Sequence, residues 1–120
     1  SVRRKNSKLY CDLLESRNEI SFTEYSEKHS YFLFQIILDD SIDRDSVLLG
    51  LKKNGIGVSI HYATSVPLMS YYKNKYGYQI GDFPNAVHYS NQSISLPVHA
   101  MLSDDDVEHV CSTLIKILED

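Results

Sequence analysis

Apolar positions recur at helical spacing near both ends of the chain and in short runs between them. In residues 2–14, Val2, Leu9, Tyr10, Leu13 and Leu14 fall on one stripe, with Arg3, Arg4, Lys5 and Lys8 elsewhere on the cylinder. That spacing predicts a helix. It has no N-cap residue, so the expectation is a helix continuing from a longer chain. Residues 15–30 are polar with scattered aromatics and predict a surface connection. From Tyr31 to Leu38 only Gln35 interrupts an apolar run, the pattern of a strand covered on both faces. Asp43 is placed to cap a short helix whose apolar face is Val47, Leu48 and Leu51. Asn54-Gly55 supplies a left-handed stop, and Ile56–Ile60 predicts a second strand. Residues 66–76 fit a short helix with Pro67 in its first turn, and Pro84 opens another. Ser93–Leu96 predicts a third strand, stopped by Pro97. Ser103 then caps a last helix. Asp104, Asp105 and Asp106 sit at its positive end, and Val107, Val110, Cys111, Leu114, Ile117 and Leu118 form a core stripe. Helices joined this tightly to strands predict an α+β domain, a three-stranded, mainly antiparallel sheet with helices packed on one face.

Composition narrows the function classes. At 120 residues the chain is one domain's worth, enough to bury roughly 65–70% of its unfolded surface without staples. The net charge of -4 argues against nucleic acid, whose phosphates demand a surplus of Lys and Arg. No apolar run approaches the roughly 18 residues of a membrane span. The N-terminus is polar and has no signal-peptide pattern. Cys11 and Cys111 each lie in a helical apolar pattern with no metal-type neighbourhood, which predicts reduced core thiols and a cytoplasmic setting.

The stretch Gly55–Tyr62, "GIGVSIHY", ends a predicted strand in a His-Tyr pair. His61 reads either as a satisfied structural histidine or as a cleft-lining one, and His99 also follows a predicted strand, where clefts commonly form. His29 falls in a polar loop and His109 off the apolar stripe. The histidines form neither HxxxH nor HExxH, so no metal site is expected. Gly55-Ile56-Gly57 lies between helix and strand, the reverse of the dinucleotide-binding order. Arg3-Arg4-Lys5 reads as a solvated helix face. Tyr62, Tyr71, Tyr72, Tyr76, Tyr78 and Phe83 crowd one stretch, either as core packing or as a half-buried surface against a partner or ligand. These residues alone give no nucleophile with its base and no phosphate cradle. They leave a soluble domain with one cleft edge.

The ordered blocks "SYFLFQIIL", "DRDSVLLGLKKNGIGVSIHY", "PLMSYYKNKYGYQIGDFPNA" and "SISLPVHAMLSDDDVEHVCSTLI" resemble the C-terminal part of the DegT/DnrJ/EryC1/StrS aminotransferases. The resemblance spans roughly residues 30–118, and residues 1–14 resemble the end of the long helix leading into that region. It implies the small domain of a type I aminotransferase fold. The implied parent is a pyridoxal-phosphate (PLP) enzyme that aminates nucleotide-linked keto-sugars for cell-surface polysaccharide or secondary-metabolite biosynthesis. In that family the lysine that bonds the cofactor, the acidic partner of its ring nitrogen and its phosphate pocket lie in the larger N-terminal domain. None of the eight lysines here has that context. The resemblance therefore implies residues 1–14 as the end of an interdomain helix and residues 15–120 as the small domain. The chain would hold no PLP and perform no transamination alone, with no catalytic residue of its own. Ser59, His61 and Tyr62 become cleft-edge residues at the mouth for the sugar nucleotide. The implied partners are the large domain, an amino-acid donor and a second subunit, with no nucleic acid and no membrane. Arg3, Arg4, Arg17 and Arg44 all lie outside the cleft-edge motifs, consistent with a keto-sugar that has no carboxylate to clamp. The alternative is a non-catalytic ligand- or partner-binding module, or a remnant of an aminotransferase.

Overall fold

The computed structural model describes residues 2–31, 33–60, 74–77, 84–99 and 101–119. Along the chain run α1 (Val2–Leu14), β1 (Ile20–Ser21), β2 (Phe34–Leu38), α2 (Arg44–Lys53), α3 (Pro84–Gln92), β3 (Ser93–Leu96) and α4 (Asp104–Glu119). The strands form one antiparallel sheet in the order β1-β2-β3. Ile20 pairs with Leu38, Phe34 with Leu96 and Ile36 with Ile94.

Because side chains alternate across a strand, one sheet face carries Phe34, Ile36, Leu38, Ile94 and Leu96, all buried. α1 and α4 pack together over this core, and α2 packs on α4. The Tyr10 ring stacks on Phe34 at 4.9 Å between centroids. Val107, Val110, Cys111 and Leu114 form the buried stripe of α4. α2 and α4 approach closely at Gly50, where a Cβ would meet Ile117 Cδ1 at 3.0 Å. The opposite face carries Gln35, Ile37, Ser93 and Ser95. There α3 reaches in through the Tyr89 hydroxyl, which donates to Gln35 Oε1.

Local chemistry sets the element ends. Asp43 caps α2, its carboxylate accepting from the N–H groups of Asp45 and Ser46. Gly55 ends α2 at φ +78°, a conformation that only glycine adopts at little cost. Ser103 and Asp106 form a reciprocal cap on α4. The Ser103 N–H donates to Asp106 Oδ2 at 2.9 Å, and the Asp106 N–H donates to Ser103 Oγ at 3.2 Å. The Arg44 guanidinium donates to the carbonyls of Ser90 and Ser93 at 2.9 and 3.0 Å, satisfying the C-terminal end of α3. The Gln92 amide donates to Asp39 and Ile42 carbonyls at 2.7 and 3.0 Å, fixing that same end to the β2–α2 turn.

Several expectations need correction. Residues 15–30 are more than a surface connection, since they supply β1 with buried Ile20 and half-buried Phe22 and Tyr25. β2 begins at Phe34 rather than Tyr31. Tyr31 is buried yet sits at φ +51°, which breaks the extended run. Its ring stacks on Tyr25 and its hydroxyl accepts from the Ser26 N–H at 2.8 Å. β2 is fully buried on one face and half-buried on the other, not equally covered. Ile56–Ile60 is no full strand. The Val58 N–H donates to Ile56 O at 3.0 Å, which spends a donor that a ladder would need, and only Ser59 bridges to Ser95. The buried stripe of α1 is Asn6, Ser7, Tyr10, Cys11 and Leu14, while Val2 is exposed.

Candidate functional site

Two adjoining cavities open where the Gly55–Ser59 segment meets the loop after β3. The smaller, about 220 Å³, is lined by Arg3, Leu33, Ser59, Ser95, Pro97 and His99 among others. The larger, about 400 Å³, is lined by Gly55, His99, Met101, Asp106, His109 and Val110 among others. His99, Pro97 and Gly57 belong to both.

Packing and backbone hydrogen bonds hold this edge. Ile56 and Val58 plug into the core while Gly57 and Ser59 face out. Ser59 is pinned to β3 by two bonds, its N–H to Ser95 O at 3.3 Å and the Ser95 N–H to its own carbonyl at 2.8 Å. Pro97 ends β3, and its carbonyl accepts from the buried Tyr10 hydroxyl at 2.5 Å. The buried Asn6 amide reaches Leu102 O at 3.3 Å and His99 O at 3.5 Å. Two side chains of α1 thus fix the loop that carries His99 and the highly exposed Met101. The Met101 N–H donates to His99 Nδ1 at 3.2 Å.

The electrostatics place reactive potential away from the thiols. Burial pushes the Cys111 thiol up to about 12, and burial also raises that of Cys11. Neither supplies a thiolate near neutral pH. Burial, helped by the charges of Cys111 and Asp106, raises the Tyr10 phenol well above its ordinary value, so it serves as a donor. The Asp106 carboxyl is held below the usual aspartate range, first by the Ser103 N–H and hydroxyl and then by His109 and His99.

The described residues do not make a seat for PLP. The cofactor needs a lysine at its aldehyde carbon, and every lysine among the described residues is exposed. Lys5 pairs with Asp104 at 3.3 Å and Lys8 lies over the Tyr25 ring. Neither cavity is lined by a lysine among the described residues. Among the described residues no three His, Cys, Asp or Glu side chains are placed to hold a metal ion, and no helix is long and apolar enough to cross a membrane.

Of the residues singled out from sequence, Ser59 lies in the smaller cavity. His61 and Tyr62 lie outside the described residues, as does the tyrosine-rich stretch apart from Tyr76, which is exposed. The helix predicted over residues 66–76 likewise lies outside them, except for helical residues 74–76. His99 joins Ser59, as a strand-end residue can. Arg3 lies outside the cleft-edge motifs in sequence, yet it lines the smaller cavity. Nothing local in the sequence marks it, because its place depends on α1 packing beside the β3 loop.

The model of the DegT/DnrJ/EryC1/StrS aminotransferase family matches residues 1–115. The uncharacterized protein MJ1066 of Methanocaldococcus jannaschii is 34% identical over 96 residues, covering 78% of this chain and 25% of its own length. The spore coat polysaccharide biosynthesis protein SpsC of Bacillus subtilis is 31% identical over 102 residues, covering 82% of this chain and 26% of its own length. This chain therefore spans about a quarter of the curated relatives it matches. The crystal structure of the aminotransferase TlmJ of Streptoalloteichus hindustanus superposes with a TM-score of 0.79 at 26% identity, over 98% of this chain and 31% of that one. DesV of S. venezuelae reaches 0.86 at 21% identity, over 99% of this chain and 32% of that one, a likeness of fold. With a family match over nearly all its length and the same α+β architecture, the chain belongs to the DegT/DnrJ/EryC1/StrS aminotransferase family.

Proposed function

We infer that these residues are the C-terminal small domain of a PLP-dependent aminotransferase that aminates a nucleotide-linked keto-sugar, with residues 1–14 the end of an interdomain helix. One observation carries the reading. The family match runs over residues 1–115, yet among the described residues neither cavity is lined by a lysine to bond the cofactor. Such a chain supplies one wall of a site. PLP, when bound to the large domain, supplies the electron sink of the reaction. The residues here bind and orient. Ser59 offers a hydroxyl at the cleft, His61 and Tyr62, two and three residues further along the sequence, are assigned on this reading to the mouth for the sugar nucleotide, and the loop held by Tyr10 and Asn6 closes the other side. The partners are the large domain, an amino-acid donor and a second subunit sharing its sites, in a cytoplasmic enzyme. The name of SpsC favours a polysaccharide pathway.

The test is kinetic and uses the product of the full coding region. His61→Ala raises KM for the sugar nucleotide or lowers kcat, with unchanged melting. Unchanged kinetics make His61 structural and remove it from the site. A second reading, a non-catalytic ligand-binding module, draws on the two cavities at this edge. It requires no upstream lysine-bearing domain, whereas the aminotransferase reading requires one of roughly 200 or more residues.

A further inference from the structure

Four backbone carbonyls that line the smaller cavity already accept hydrogen bonds from this chain. The Ser59 carbonyl accepts from the Ser95 N–H and the Ser95 carbonyl from the Ser59 N–H. The Pro97 carbonyl accepts from Tyr10, and the His99 carbonyl accepts from Asn6 and from the Leu102 N–H. Three side chains there can donate. The first is Arg3, exposed and without an ion-pair partner among the described residues. The second is the Ser59 hydroxyl. The third is His99, and a backbone bond fixes its kind. Its Nδ1 accepts from the Met101 N–H, so the neutral ring carries its proton on Nε2. His29 repeats the device, its Nδ1 accepting from the Tyr31 N–H at 2.8 Å. There the ring packs on Tyr31 at 4.3 Å, whereas His99 lines both cavities.

A guanidinium, an imidazole N–H and a hydroxyl that can turn its proton inward suit an oxyanion. The neighbouring carboxylate, Asp106, lines the larger cavity and is engaged by Ser103. At about 220 Å³, the smaller cavity falls below the roughly 300–1,000 Å³ that encloses a whole drug-sized ligand. It suits one charged end of a molecule. The geometry points to Arg3 and His99, with Ser59, as an oxyanion subsite taking a carboxylate or a phosphate. On the aminotransferase reading, on which the source of the ion rests, that group is the carboxylate of the amino donor or the diphosphate of the sugar nucleotide.

Calorimetric titration of inorganic diphosphate and of L-glutamate into the full-length product tests the subsite. Wild type is compared with Arg3→Gln, His99→Phe and His99→Gln, with melting followed in each. Arg3→Gln weakens the bound ion about tenfold or more and flattens its salt dependence, as loss of a charge-assisted hydrogen bond requires. His99→Phe weakens it by a smaller factor, and His99→Gln, which restores an N–H donor, recovers part of the loss. An effect confined to diphosphate assigns the nucleotide phosphates, and one confined to glutamate assigns the donor carboxylate. Either supports the subsite. Failure of wild type to bind either ion, or equal affinity in all variants at unchanged melting, overturns it. An intact ion effect in a product that shows no PLP absorption keeps the subsite and overturns the aminotransferase reading instead.

Discussion

The helix-covered face of the sheet and the cleft edge share β3 but are built on different terms. On the face, Phe34, Ile36, Leu38, Ile94 and Leu96 meet Tyr10, Leu14, Val107 and Leu114 in a core where each is at most 3% exposed. At the edge, Gly57, Ser59, His99 and Met101 are exposed, and a few backbone hydrogen bonds set their positions. Apolar burial is non-directional and scales with area, so the face is robust in shape and costly to empty. The edge has little area to lose, and its geometry rests on Tyr10, Asn6 and the Ser59–Ser95 bridge. Substitutions on the face should therefore register as stability and substitutions at the edge as binding. Tyr10 is the link, since its ring packs in one region and its hydroxyl holds the other.

The largest effect is expected from emptying the face. Leu114→Ala removes a fully buried side chain and should cost about 2–5 kcal/mol in urea unfolding, with ligand affinity of the folded fraction unchanged. A comparable fall in affinity would mean that face and edge are one unit. Tyr10→Phe keeps the stacked ring and deletes the hydroxyl, at about 1 kcal/mol. Unlike Leu114→Ala, it should also weaken binding at the edge, measured in the same titrations. If it changed stability alone, the Pro97 contact would not be what positions the loop.

Acid sharpens the comparison further, because two caps frame these regions. Asp43 is held below the ordinary aspartate value of 3.8, first by Ser46, and Asp106 likewise, first by Ser103. A depressed folded-state value contributes stability that is complete above the unfolded value and is lost as pH falls through the folded one. The melting temperature should therefore decline as pH drops below about 3.8, and Asp43→Asn and Asp106→Asn should each flatten that decline. An unaltered profile in both variants would show that these caps contribute nothing. The smallest stability change belongs to Ser59→Ala, whose exposed hydroxyl should be worth no more than about 0.5 kcal/mol. Its effect should appear as a raised KM in the full-length product.

Helices were legible where periodicity and caps agreed. The α4 stripe stands from Val107 to Leu114, with Ile117 and Leu118 only half-buried, and its Ser103 cap, Asp43 before α2 and the Asn54-Gly55 stop stand as expected. Strands were legible only in part. β1 is two residues inside a polar run, too short for period-two alternation to show. In residues 56–59 the alternation is real, since Ile56 and Val58 are buried and Gly57 and Ser59 exposed. The turn-like bond from the Val58 N–H removes the pairing that alternation implied. Burial of Asn6 and Ser7 escaped a reading that looks for apolar residues, and Asn6 is affordable inside because its amide reaches two loop carbonyls. Of the candidate site, Ser59 and the strand-end character of His99 could be read locally. Arg3 could not, since it is remote in sequence and arrives through helix packing.

The central claim is that this domain shapes a site whose chemistry resides elsewhere in the protein. The most direct test is to purify the product of the full coding region, add PLP, record the visible spectrum, reduce with borohydride and map the labelled lysine by mass spectrometry. The account predicts a product about three to four times the length of this chain, in keeping with relatives of which it covers 25–26%. It also predicts a visible cofactor band and a label on one lysine outside these 120 residues. A product of 13.8 kDa with no band, or a label on a lysine within this chain, would contradict it.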